Sequence, residues 1–169
     1  GTTQSLEILY VCPTCSRCWG PEVRACGADG TPLTEPRGFP YRVLDRYALR
    51  FLLGEGGMGA VFEAYDERLD RVVALKVVKP EHFRNATVRR RFVQEANAIA
   101  AIRHPNVVEL HDSGDLGDGS MFLVMERLHG RDLADLHRFS GAGTPAQVAS
   151  LLRQGAAALG AAHGAGIVH

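Results

Sequence analysis

The chain has 169 residues, 46% of them hydrophobic and 22% charged, which is ordinary globular usage and excludes a disordered chain. Nineteen basic residues balance nineteen acidic ones, so composition lends nothing to a polyanion-binding role and no nucleic-acid partner is expected. There is no apolar run long enough to span a membrane, and residues 1–20 lack the basic start and apolar core of a secretory signal; the expected location is cytoplasmic.

Residues 1–36 are poor in apolar periodicity and rich in Cys, Gly, Pro and Thr. All four cysteines lie between Cys12 and Cys26. Without a secretory signal, that clustering reads as a metal knuckle rather than a disulfide scaffold. Cys12-Pro-Thr-Cys15 is the usual first half of a structural zinc site. Cys26-Gly-Ala-Asp29 follows, with Asp where a zinc ribbon would carry its last Cys. The spacing predicts a ribbon-like knuckle holding Zn²⁺ on Cys12, Cys15 and Cys26. Its fourth ligand is open between Cys18, which crowds Cys15, and Asp29, which fits ribbon geometry but is a rarer ligand. Trp19 is expected to cover the metal site. Residues 37–46, with Gly38 and Pro40 as breakers, read as a linker.

From Tyr47 the texture changes. Residues 47–54, 60–66 and 71–78 read as strands, the last two joined by a hairpin turn at Glu67–Asp70. Residues 86–103 read as a helix, with Phe92, Ala96, Ile99 and Ile102 at helical spacing and Pro105 beyond its end. Residues 106–114 and 120–128 read as strands around an Asp/Gly-rich turn. Residues 132–139 and 145–163 read as helices. Tight turns imply antiparallel pairing, so the fold class is α+β: a five-stranded antiparallel sheet with one inserted helix, then helices.

Gly54-Glu-Gly-Gly-Met-Gly59 fits G-x-G-x-x-G, a weak signal by itself. It opens a strand, where a dinucleotide-binding loop would open a helix, and it lacks the Gly-Lys-Ser/Thr of a Walker loop. Between antiparallel strands such a loop either folds its backbone N–H groups over phosphates or is a bulged hairpin without a ligand. Lys76 is one of only two lysines. It shares a strand face with Val72, Ala74 and Val78, and the other face carries Val73, Leu75 and Val77. Both faces read as buried, so its ammonium requires a partner. Glu95 lies on the apolar stripe of the helix and poses the same problem. The economical solution is that Lys76 and Glu95 meet; the alternative is that Lys76 snorkels out and Glu95 sits at the edge of the stripe.

Leu53-Gly-Glu-Gly-Gly-Met-Gly-Ala-Val61, Val73-Ala-Leu-Lys76, Glu95, His104-Pro-Asn-Val-Val108 and Leu123-Val-Met-Glu126 occur in this order. Together they resemble a bacterial Hanks-type serine/threonine protein kinase over residues 47–169. The resemblance implies a kinase N-lobe at 47–128 and the first helices of an incomplete C-lobe at 129–169. It implies that Leu53, Gly54, Gly56, Gly57 and Gly59 bring the loop over ATP, and that Val61 and Ala74 pack on the adenine. By the same likeness Lys76 holds the α- and β-phosphates and Glu95 positions Lys76. Met125 resembles the gatekeeper, and Glu126 and Leu128 the hinge. Asp132 matches a ribose contact or, equally, a helix N-cap. The activity implied is transfer of the γ-phosphoryl of ATP, with Mg²⁺, to Ser or Thr hydroxyls of a protein substrate.

Gly166-Ile-Val-His169 resembles the run into the family's catalytic loop, whose Asp and metal-binding residues do not follow here. The chain therefore reads as an inactive fragment of a longer kinase. The alternatives are a nucleotide-binding pseudokinase module and a zinc-ribbon interaction protein.

Overall fold

Alternation of large apolar side chains builds most of this protein. The computed structural model describes residues 8–83 and 85–167; His169, read above as the entrance to a catalytic loop, lies outside them. Strands β1 (Ile8–Val11), β2 (Cys18–Trp19) and β3 (Pro36–Pro40) form an antiparallel sheet in the order β2-β1-β3. Strands β4 (Arg42–Val43), β5 (Tyr47–Gly56), β6 (Gly59–Asp66), β7 (Arg71–Val78), β8 (Leu110–Asp115) and β9 (Met121–Glu126) form a second. Its order is β4-β5-β6-β7-β9-β8, antiparallel throughout. The five predicted strands are all present, and β4 is added at one edge.

The expected linker at 37–46 is instead β3 and β4. Gly38 and Pro40 read as breakers, but β3 is an edge strand, where a missing N–H leaves no ladder bond unmade.

In β6 every second side chain is buried, as a half-covered strand requires. Ala60, Phe62 and Ala64 join Val73, Leu75, Val77, Phe122 and Val124 on one face of the large sheet. The small sheet covers that face with Leu9, Val11, Cys18 and Phe39. Phe39 meets Phe62 edge to face at 5.5 Å between centroids. The two sheets thus share one core.

The opposite face is only half covered. Helix α1 (Ala86–Ala100) packs over one end of it, with Phe92 and Val93 against Val78, Met121 and Phe83. Val72, expected inside, is 41% exposed, and Lys76 is half-buried. Asn85 caps α1 by accepting from the Val88 N–H at 2.9 Å.

Asp66 is a fully buried acid in the core. Arg46 donates to both its oxygens at 2.8 Å, and the N–H groups of Arg68 and Leu69 donate to Oδ1. The Arg46 hydrogen bonds hold its carboxyl below the usual range despite burial. Arg46 also reaches Asp112 at 3.4 Å, which in turn accepts from the Tyr47 hydroxyl at 2.9 Å. This network ties β5, β6 and β8 at one end of the sheet.

Helices α2 (Leu133–Ser140) and α3 (Pro145–Gly164) follow the sheet. Thr144 and Gln147 form a reciprocal capping box at the start of α3. No helix among the described residues is long and apolar enough to cross a membrane.

Candidate functional site

The β5–β6 hairpin closes with Gly56 opposite Gly59. Gly59 has φ +154°, and a methyl group added there would stand 2.0 Å from the Val77 carbonyl oxygen. The close approach of β6 to β7 therefore requires glycine at this position. Gly54, Gly56 and Gly57 are different. A Cβ at any of them would meet nothing within 4 Å. The fold does not demand their missing side chains, which leave the hairpin backbone open to a close-approaching ligand.

Pairing places Val61 opposite Lys76 and Lys76 opposite Leu123. In the next row Glu63 faces Ala74 and Ala74 faces Met125. Directly opposed residues share a sheet face. Val61, Ala74, Lys76 and Met125, picked separately from the sequence, thus lie together on the half-covered face, beside the glycine hairpin. Leu53 and Met58 flank the hairpin and are exposed.

The expected Lys76–Glu95 ion pair is not formed; among the described residues neither makes a salt bridge. Glu95 is exposed, and its neighbour Ala96 is the buried residue of α1. One residue is about 100° of helical turn. The apolar stripe is centred on Ala96 rather than on Glu95, which stands on the flank. Lys76 needs no buried partner because its face is half open.

At the end of β9, Glu126 is locked to Glu109. Its N–H donates to the Glu109 carbonyl at 2.9 Å, and its carboxylate accepts from the Glu109 N–H at 2.8 Å. Leu128 is exposed. Asp132 is the N-cap of α2, its Oδ1 accepting from the Asp135 N–H at 2.7 Å. Sequence reasoning missed Arg127, which donates to Glu63 at 3.0 Å and to the Leu128 carbonyl. It fastens the segment after β9 to β6.

The knuckle is built from two equivalent turns. In the first, the Cys12 N–H donates to the Arg17 carbonyl at 2.8 Å and the Cys12 carbonyl accepts from Ser16 at 2.9 Å. In the second, the Cys26 N–H donates to the Thr31 carbonyl at 2.8 Å and the Cys26 carbonyl accepts from Gly30 at 2.8 Å. Each turn has a left-handed residue at its fifth place, Ser16 at φ 61° and Gly30 at φ 74°. Asp29 therefore occupies in the second turn the place of Cys15 in the first. The ligating atoms of Cys12, Cys15, Cys26 and Asp29 all lie within 4.8 Å of one another. Cys15 Sγ is 3.6 Å from Cys26 Sγ, and Cys12 Sγ is 3.4 Å from Asp29 Oδ2.

Cys18 is excluded from this group. It points the other way, into the shared core with Leu9 and Phe39, and burial pushes its thiol up to about 12. Residues on β2 alternate between faces, so Cys18 packs on the large sheet while Trp19 packs against Cys12, Cys26 and Leu33. Trp19 covers the cluster as expected; a methyl group at Gly27 would strike its ring at 2.9 Å. The Thr31 hydroxyl and N–H hold the Asp29 carboxyl below the usual range. Burial raises the Cys12 thiol, but the backbone N–H groups of Cys15 and Thr14 outweigh it, and the net direction is down. The backbone N–H of Arg17 lowers the Cys15 thiol, but burial together with Asp29, Cys26 and Cys12 outweighs it and pushes that thiol up to about 12, so the negative charge of the cluster rests on Asp29 and Cys12.

The protein kinase domain family matches residues 47–169. The chain is 39% identical over 142 residues to the serine/threonine-protein kinase PknD of Mycobacterium tuberculosis, covering 84% of this chain and 20% of PknD. It is 37% identical over 124 residues to the serine/threonine-protein kinase pkn3 of Myxococcus xanthus, covering 73% of this chain and 23% of that protein. The chain thus spans about a fifth of the length of these relatives. Among solved structures, the M. tuberculosis PknI kinase domain superposes with a TM-score of 0.67 at 29% identity. That match covers 76% of this chain and 51% of the PknI chain. The glycine hairpin, Lys76 and Met125 lie within the matched region, and the chain belongs to the protein kinase family, with bacterial serine/threonine kinases as its relatives.

Proposed function

We propose that residues 47–128 form the ATP-binding lobe of a serine/threonine protein kinase. The observation that carries this reading is the pairing of an open glycine hairpin with the row Val61–Lys76–Leu123. Gly54, Gly56 and Gly57 let backbone N–H groups reach phosphate oxygens, and Lys76 supplies the cation beside them. Val61, Ala74 and Met125 offer an apolar seat for the base, with Leu53 at its rim. Glu126 and Leu128 supply backbone groups for the adenine edge, and Asp132 retains one carboxylate oxygen for the ribose. Gly59 serves the fold first and the nucleotide through the hairpin it closes. Glu95 stands on the helix packed over the same sheet face, and positioning Lys76 is its proposed role in the nucleotide-bound enzyme.

The whole protein would move the ATP γ-phosphoryl to a Ser or Thr hydroxyl. Kinases of this family use Mg²⁺ with ATP. Glu63, the carboxylate in the adjoining row, is held by Arg127, so these residues do not fit a metal and no step is assigned to one.

We also propose that Cys12, Cys15, Cys26 and Asp29 hold a structural Zn²⁺. A tetrahedron with Zn–S bonds of ~2.3 Å has S–S edges of about 3.7 Å. The 3.6 and 3.4 Å separations fit that figure, with the shorter edge on the oxygen ligand. The site would stabilise a segment whose own small core consists of Cys12, Cys26 and Leu33.

In the protein carrying the complete kinase domain, Lys76→Met should abolish phosphorylation while leaving the melting temperature unchanged. Retained phosphotransfer would refute the role given to Lys76. Elemental analysis should find one zinc per chain, reduced to none in Cys12→Ser/Cys26→Ser.

A further inference from the structure

The first knuckle turn ends on the strand that carries the glycine hairpin. Ser16 follows the ligand Cys15 directly, and its carbonyl accepts from the Leu52 N–H at 2.9 Å. Arg17 bridges to Phe51 and lays its guanidinium 5.3 Å from the Phe51 ring centroid. Strand β4 pairs with β5 only at Tyr47 and Ala48. The outer edge of β5 beyond those residues is capped by the knuckle, next to Leu53 and Gly54. A third tie reaches the hairpin itself: Arg37 of β3 pairs with Glu55 at 3.2 Å. Lys79, whose N–H donates to the Met58 carbonyl, rests its ammonium 5.6 Å from the Phe39 ring. Glu55 and Met58 lie within the G-x-G-x-x-G segment, and Lys79 directly follows β7.

We propose that the knuckle is a positioning element of the nucleotide site: when its four ligands hold a metal ion, Ser16, Arg17 and Arg37 hold β5 and the glycine hairpin in the conformation that binds ATP. The proposal rests on the two readings above. Its physical basis is the composition of the knuckle. Of the three buried residues in its own small core, apart from those it sends into the shared core, two, Cys12 and Cys26, are ligands, and the side chains around them include Cys15 and Trp19. Without the ion, little holds the Cys12–Arg17 turn closed, and Ser16 carries its strained left-handed φ with no ligand beside it to fix it. The edge of β5 then loses its partner. Lys76, Ala74 and Met125 belong to β7 and β9, which the knuckle touches only through the shared core, so the lysine and the base seat remain in place. Metal occupancy should change nucleotide affinity through the hairpin alone.

The test uses the 169-residue chain, first zinc-loaded and then stripped with a zinc-selective chelator in excess Mg²⁺. Zinc content, the Kd of a fluorescent ATP analogue and amide hydrogen exchange are measured on both forms. The expected result is a Kd weakened about fivefold on zinc loss, with faster exchange at Leu52–Gly59 and unchanged exchange in β7 and β9. An unchanged Kd after demonstrated zinc loss overturns the positioning role and leaves the metal site standing. A chain that takes up no zinc overturns the metal reading and the proposal with it. A zinc-loaded chain that binds no nucleotide overturns the ATP reading.

Should stripping unfold the large sheet, Arg17→Ala/Arg37→Ala decides the matter on the zinc-loaded form. Its zinc content and melting temperature should match the parent, because both arginines lie at the surface of the junction. Its Kd should weaken about threefold, and Arg17→Lys/Arg37→Lys should recover part of the loss. Parent-like affinity in the alanine variant overturns the proposal.

Discussion

The two ends of the chain treat their apolar side chains in opposite ways. Residues 8–40 bury Leu9, Val11, Cys18 and Phe39 in the core of the large sheet. Helices α2 and α3 have many apolar side chains, including Leu133, Leu136, Phe139, Val148, Leu151, Leu152 and Leu159, and none is buried. Apolar content therefore does not decide burial; a complementary surface does. The knuckle meets a sheet face lined by Phe62, Leu75 and Phe122. The helices are held by local chemistry instead: the Asp132 cap, the Thr144–Gln147 box and a side-chain bond from Asn106 to Gln154 at 3.1 Å. One end is specified by tertiary packing and the gathering of Cys12, Cys15, Cys26 and Asp29, the other by helix propensity and caps.

The comparison breaks most visibly at the metal. Structural zinc contributes on the order of 10 kcal/mol in small peptides. Stripping it should melt the twin turns and abolish the near-ultraviolet signal of Trp19, while far-ultraviolet helix signal from α2 and α3 persists. Loss of both signals together would show that the ends are not independent. Acid should act at the sheet through Asp66. Its folded carboxyl lies below the ordinary carboxylate range, so its contribution is present above the unfolded pKa and is lost as pH falls through the folded one. Asp66→Asn should cost about 3 kcal/mol at neutral pH, because Arg46 loses its main partner. It should also flatten the acid limb of the stability curve, measured by urea titration at several pH values below 5.

Within the sheet, two glycines of one hairpin sharpen the contrast between fold and function. Gly59→Ala forces a methyl group against the Val77 carbonyl and should destabilise by about 2–3 kcal/mol, with the shift seen in urea midpoint. Gly56→Ala meets open space and should change stability by less than about 0.5 kcal/mol. Its effect should appear in nucleotide affinity instead. Equal destabilisation by the two would mean that the hairpin glycines serve the fold alike.

What could be read from the residues follows the same division. The strands from 47 to 126 were legible because alternation is a period-two signal that burial on one face enforces. Lys76 stood out because a cation between valines has few bland explanations, whereas Val61 and Ala74 came from the family resemblance; pairing places all three on one sheet face. The match of Asp29 to Cys15 was legible in the paired C-x₂-C and C-x₂-D spacing; the choice between Asp29 and Cys18 was not, since it rests on the alternation of β2, which turns Cys18 into the shared core. Residues 37–46 misled because Gly and Pro punctuate a linker and an edge strand alike. Glu95 misled by one position: a stripe through Phe92 and Ile99 passes equally near Glu95 and Ala96, and with Phe92 and Val93 packed against Val78 and Met121 it is Ala96 that is buried. Arg127 was invisible because its partner Glu63 is sixty-four residues away.

The smallest effect is expected where the helices stand open. Leu152 is 69% exposed, whereas Leu75 is fully buried. Leu75→Ala should cost about 2–5 kcal/mol, the ordinary penalty of a core cavity. Leu152→Ala in the same chain should stay within about 0.5 kcal/mol, because its side chain loses few contacts and little area is returned to water. The pair is measured by urea denaturation of the 169-residue chain at neutral pH. A penalty above about 1 kcal/mol for Leu152→Ala would mean that α3 finds a packing partner in solution, in a second copy or against the sheet. Sedimentation of the parent chain at two concentrations would then separate those partners, since only the first makes the penalty depend on concentration. A null effect at Leu152 beside a full one at Leu75 would leave the capping groups of α2 and α3, rather than their leucines, as what holds this end of the chain in shape.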